Sequence, residues 1–221
     1  MRKIITTFLL CVMFLGCMAQ DQESWYPQLP YQYTHDKLNS PKKVKGGAGI
    51  VQFMKAVDMY YYDEEDPEYA VVDKANGYYN FSQEGGGGLF IEAAYWNRSD
   101  GKKMLIVRYH VCDFGMGKHA GKLEKENAWF KLKTQKLDGD NFLIDEIGFM
   151  AYLYNAATQT LEPMQKPPFN GVPATSDCIL INPPQKGKDI KVQLWSREKL
   201  DNDQITTHTL KFNGLTFDWV K

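Results

Sequence analysis

The 221-residue chain has little of what most often announces a function. It holds four cysteines, no run of 18 apolar residues, and 26 basic against 27 acidic residues. So few cysteines exclude a disulfide-dense scaffold, and the missing apolar run excludes a membrane-spanning helix. Balanced charge leaves no basic stripe of the kind nucleic-acid binding needs, so nucleic acid is not an expected partner. Catalytic and cofactor signatures are missing as well. There is no His-Glu-x-x-His and no Gly-x-Ser-x-Gly. The run Gly85-Gly86-Gly87-Gly88 leads into Leu89-Phe90-Ile91, which opens a strand and lacks the Lys-Ser/Thr and helix of a phosphate loop. Neither a metal nor a cofactor is expected.

What is present begins with an address. Arg2 and Lys3 precede a largely apolar stretch over residues 4–16, too short to cross ~30 Å of hydrocarbon. It has the form of a secretory leader. Residues 1–19 are therefore expected to be a signal peptide, and the protein to be exported to the periplasm, the outer-membrane surface or the medium. Two processing routes stand open. Cys17-Met18-Ala19 suits cleavage before Gln20, whereas Phe14-Leu15-Gly16-Cys17 resembles a bacterial lipobox with Cys17 as the lipid carrier. A lipid on Cys17 is the membrane attachment the sequence offers. Processing removes Arg2 and Lys3 and no acid, leaving 24 basic and 27 acidic residues, a net −3. The thiols that remain are Cys112 and Cys178. In an oxidising compartment they can close one disulfide, worth roughly 4 kcal/mol for a loop of about 65 residues. Two buried free thiols are the other reading.

Residues 20–45, rich in Gln, Pro, Tyr and Lys, show neither helical nor alternating period and read as an extended lead-in. Residues 46–221 are expected to form a single β-rich domain. Its one helix is carried by Ile50, Phe53, Met54, Val57 and Tyr60 at amphipathic spacing; Pro67 cannot continue it. The acidic run Asp63-Glu64-Glu65-Asp66 before that proline reads as a solvated loop. From there on the pattern alternates with period two. Leu89, Ile91, Ala93 and Tyr95 alternate with Phe90, Glu92, Ala94 and Trp96, and Asp100-Gly101 marks a hairpin turn. The return strand sets Leu105, Val107, Tyr109 and Val111 against Met104, Ile106, Arg108, His110 and Cys112. Further strands are expected at 129–133, 149–154, 160–163, 178–181 and 190–195. Asn213-Gly214 predicts a two-residue turn that pairs Phe212 with Leu215, Leu210 with Phe217 and His208 with Trp219. The expected fold is thus mainly β, antiparallel hairpins in a sandwich, meander or barrel, with one N-terminal amphipathic helix.

Several constellations could carry chemistry, each with a plainer explanation. His110-Val111-Cys112 with His119 falls short of the four ligands zinc wants, and a half-buried strand face accounts for it. Asp138-Gly139-Asp140-Asn141 lacks the EF-hand spacing and reads as a polar turn. Glu92, Asp113, Asp145 and Glu146 have the residue type of a glycosidase acid pair, which must stand about 5–10 Å apart. The aromatics carry more information: 5 Trp, 13 Tyr and 12 Phe. Trp96, Tyr154 and Trp195 each stand beside a polar turn, where exposed rings suit stacking on sugars or on a protein; capping of the sheet is the alternative. The expected function is a non-catalytic module that binds a carbohydrate or another envelope protein. A hydrolase using paired carboxylates and an envelope structural or assembly component are the alternatives.

Overall fold

The computed structural model describes residues 40–62, 67–83, 88–116, 125–127, 130–136, 141–173, 178–195 and 206–220; the side chains of 67, 111–147, 178 and 195 are not described. The leader, Cys17, the greater part of the lead-in, His119 and the acidic run 63–66 lie outside these residues.

The helix α1 spans Ile50–Ala56 and buries Ile50, Phe53 and Met54, the first part of the expected stripe. It stops a turn early because Asp58 adopts a left-handed conformation, φ 61°, and the Met59 N–H then reaches back to the Met54 carbonyl. Tyr60 therefore leaves the helical stripe. Tyr61 continues across the sheet and is pinned there by the buried Tyr79 hydroxyl, which donates to the Tyr61 carbonyl (2.7 Å) and accepts from its N–H (2.8 Å).

The larger sheet contains β1 (Lys42–Lys43), β2 (Ala70–Asp73), β3 (Tyr78–Gln83), β4 (Gly88–Asn97), β5 (Lys103–Met116), β6 (Lys125–Asn127), β7 (Phe130–Lys136), β8 (Asn141–Asn155) and β9 (Thr160–Pro163). Its order is β1-β9-β8-β5-β4-β3-β2, and β7 pairs with both β6 and β8. The smaller sheet contains β10 (Phe169–Asn170), β11 (Cys178–Asn182), β12 (Ile190–Trp195), β13 (Thr206–Phe212) and β14 (Phe217–Val220), in the order β10-β14-β13-β12-β11. The fold is mainly β, as the alternation requires. The strand β1 forms at the end of the expected lead-in, with Lys42 opposite Leu161.

Period-two alternation puts Tyr78, Ala94, Ile106 and Ala151 in one row across four strands. That row, with Trp96 and Met104, meets Ile179, Ile181, Ile190, Val192, Leu210 and Phe217 of the smaller sheet in one buried cluster. On the opposite face Phe53 of α1 packs edge-on against Tyr95 (5.6 Å) and against Tyr154 (5.2 Å). Both faces of β4 and β5 are covered here, so Met104 and Leu105 are equally buried.

The final hairpin corrects the expected register by two residues. Phe212 pairs with Phe217 and Leu210 with Trp219, leaving a four-residue loop over 213–216. The Asn213 side chain is the reason: its Oδ1 accepts from the N–H groups of Leu215 and Thr216, at 3.0 and 2.9 Å. Gly214 alone in that loop takes a positive φ, 99°, so the two consecutive left-handed residues of a type I′ turn are not formed. A shift of two keeps every side chain on its face. Leu215 is lost from the apolar set to the surface, and His208 and Trp219 meet as diagonal neighbours, stacked at 4.5 Å.

Candidate functional site

Of the three turn-proximal aromatics, Trp96 and Tyr154 are not exposed platforms. Trp96 is 4% exposed, donates its indole N–H to the Lys188 carbonyl at 2.8 Å and meets Phe217 edge-on. Tyr154 is 9% exposed and packs on Phe53. Both are core residues. Their place beside turns misled because the turns stay exposed while other elements cover the rings: the Lys188 carbonyl and Phe217 lie on Trp96, and Phe53 of α1 lies on Tyr154. Trp195 ends β12 opposite Cys178, with its side chain outside those described.

The two cysteines lie on different sheets. Cys112 pairs with Gly88 and Asp145 and Cys178 with Trp195; their side chains, and so the expected disulfide, lie outside those described. Register sets Asp145 four residues along and two strands over from Glu92, roughly 17 Å between Cα atoms. These two carboxylates are not brought together. Asp113 and Glu146 are diagonal neighbours, opposite Ile144 and Val111, again without described side chains.

A polar set that the sequence left scattered is assembled instead on the face of the larger sheet that meets the smaller one. Asn80, Glu92, Arg108 and Phe149 stand in one row across β3, β4, β5 and β8. The Tyr78 hydroxyl donates to Glu92 Oε1 at 2.8 Å. Arg108 Nη1 lies 3.5 Å from Glu92 Oε2 and donates to Asn182 Oδ1 of β11 at 3.2 Å. Arg108 Nε is buried and finds no hydrogen-bond partner among the described residues. Burial pushes the Glu92 carboxyl above its usual range, against the pull of the Tyr78 hydroxyl and Arg108. Burial likewise raises the Tyr78 hydroxyl, with the Glu92 charge adding to it.

The next row along the sheet, Ser82, Phe90 and His110, is half-buried and lies outside the buried intersheet cluster. Phe90 and His110 stack at 5.7 Å with 27° between their planes. Gly88 gives the ring room: a Cβ there would come 2.9 Å from Phe90 Cε2. The corner therefore combines an aromatic shelf with a carboxylate, a guanidinium and an amide, all on strands. Among the described residues the exposed tyrosines are Tyr62 and Tyr69, of which Tyr62 belongs to the Tyr60-Tyr61-Tyr62 run. Among the described residues no cluster of His, Cys, Asp or Glu could hold a metal, and no helix is long and apolar enough to cross a membrane.

The raised Glu92 pKa makes a signed prediction. The folded state holds this proton more tightly than the unfolded chain, so above pH 4.5 the Glu92 contribution to stability falls as pH rises. Urea unfolding of the protein and of Glu92→Gln between pH 4.5 and 7 should give a steeper decline for the unsubstituted chain. Parallel slopes would show that Glu92 ionises as freely folded as unfolded.

No known family, curated protein or solved structure matches this chain.

Proposed function

We propose that the protein is an exported, non-catalytic glycan-binding module, with its site at the Phe90–His110 shelf and the Glu92–Arg108 row. The observation that carries the reading is the half-buried ring pair beside a carboxylate, a guanidinium and amides on rigid strands. Sugars offer a C–H face that stacks on rings and hydroxyls that both donate and accept. Glu92 supplies acceptors, and Arg108 and Asn80 supply donors. Sites built on strands hold such groups in place better than sites on loops. Export rests on Arg2, Lys3 and the apolar stretch that follows, and the lipid on Cys17 is the proposed membrane attachment if the lipobox is used.

A glycan microarray followed by calorimetric titration of the best-bound glycan tests the site. Phe90→Ala should weaken binding at least ~5-fold, because stacking contacts are worth about 1–3 kcal/mol, while the far-UV spectrum stays that of the unsubstituted protein. Binding that is indifferent to Phe90→Ala, or an array with no bound glycan, would reject the reading.

A further inference from the structure

A guanidinium captures a carboxylate or a sulfate through a fork of N–H groups on two neighbouring nitrogens. Arg108 has no such fork to present. Its Nη1 is shared between Glu92 Oε2 at 3.5 Å and Asn182 Oδ1 at 3.2 Å, and its Nε is buried. Both edges that could grip an anion, Nε with Nη2 and Nη1 with Nη2, therefore lack one member. Swinging the guanidinium outward to restore one would break the Asn182 contact that ties the larger sheet to β11.

Glu92 is the opposite case. An ionised carboxylate accepts at about four lone-pair sites. The Tyr78 hydroxyl takes one on Oε1 at 2.8 Å and Arg108 takes one on Oε2, so both oxygens keep capacity to accept. The side chains of Arg108 and Glu92 are 23% and 17% exposed, so a ligand can reach them. Phe90 stands two residues from Glu92 on the same strand face, roughly 7 Å away. A sugar ring seated on Phe90 thus turns its edge hydroxyls toward the carboxylate. Ser82 and Asn80, opposite Phe90 and Glu92 on β3, add a hydroxyl and an amide without charge. A hydroxyl can donate to Glu92, whereas a sugar carboxylate or sulfate has no proton to give and meets a like charge. The chain's net charge of −1 adds no attraction for an anion.

Resting on the glycan-binding reading, we propose that this site takes neutral glycans and excludes anionic ones: uronates, sialic acids and sulfated sugars. An array at pH 8 carrying neutral hexose oligomers beside uronate, sialylated and sulfated glycans tests it. Calorimetry then compares the tightest neutral hexose oligomer with the same oligomer oxidised at C6 to the uronate. The unsubstituted protein should bind the neutral form at least about tenfold more tightly, the effect of one like-charge contact near a protein surface. Glu92→Gln removes the charge and frees Arg108 from its ion pair, so the ratio should shrink to about threefold or less. The ratio in the unsubstituted protein is decisive whether or not that variant folds. Phe90-dependent binding that is as tight for the uronate overturns the proposal and leaves the glycan site standing. So does a Glu92→Gln variant that weakens both ligands by the same factor, as a merely structural Glu92 requires. An array with no bound glycan, or binding indifferent to Phe90→Ala, overturns both.

Discussion

A chain ending at Gly214 should lose its cooperative thermal transition. The truncation removes β14, and with it Phe217, whose ring is fully buried and contacts Trp96, Phe169 and Phe212 at centroid distances of 5.1, 5.8 and 5.2 Å. Truncating one buried Phe costs about 3–5 kcal/mol. Here Trp219 is lost as well, together with the ladder to β13 and the parallel pairing with β10. The sum is comparable to the whole stability of a domain, about 5–15 kcal/mol. Thermal unfolding followed by far-UV circular dichroism reads it. An unchanged midpoint for the truncated chain would mean that β14 is not part of the folding unit.

Trp96→Ala should be the most costly single substitution among those considered, at about 3–5 kcal/mol. The indole bridges the sheets: it stands in the larger one, meets Phe217 of the smaller one, and binds the Lys188 carbonyl before β12. Removing it opens a cavity and also strands that carbonyl. Trp96→Phe keeps most of the volume but leaves the same carbonyl without its donor, and should cost less, about 1–3 kcal/mol. Equilibrium urea denaturation distinguishes the two. A Trp96→Ala variant within about 1 kcal/mol of the unsubstituted protein would fit an exposed ring and contradict the packing described.

How far the sequence reached is clearest in β4 and β5. Their alternation and the Asp100-Gly101 turn predicted a hairpin, and Trp96 pairs with Met104 and Asn97 with Lys103 across it. The same alternation named Leu105, Val107 and Tyr109 as the core stripe, yet Met104 and Ile106 on the other face are just as buried. Alternation sorts side chains onto two faces but does not say which face another layer will cover. The last hairpin failed in register and not in face, because an Asn213 side chain competed successfully for backbone N–H groups that the two-residue turn would have arranged otherwise. The strand β2 was missed because Ala70–Asp73 is four residues long, too few for a period to show.

The candidate site was less legible. Glu92 and Arg108 were visible as members of the right strands, but Tyr78, Asn80 and Asn182 gave no signal, being ordinary polar positions until the register aligned them. The sequence by itself determined the mainly β class, the place of the helix α1, the first hairpin and the sharing of faces within it. These follow from a two-residue period and local turn chemistry. Which aromatics are buried and where Glu92 finds Arg108 and Asn182 were decided by the tertiary structure alone. Each depends on contacts between residues tens of positions apart, such as Trp96 with Lys188 and Ser99 with Gly214, whose pairing no local pattern encodes.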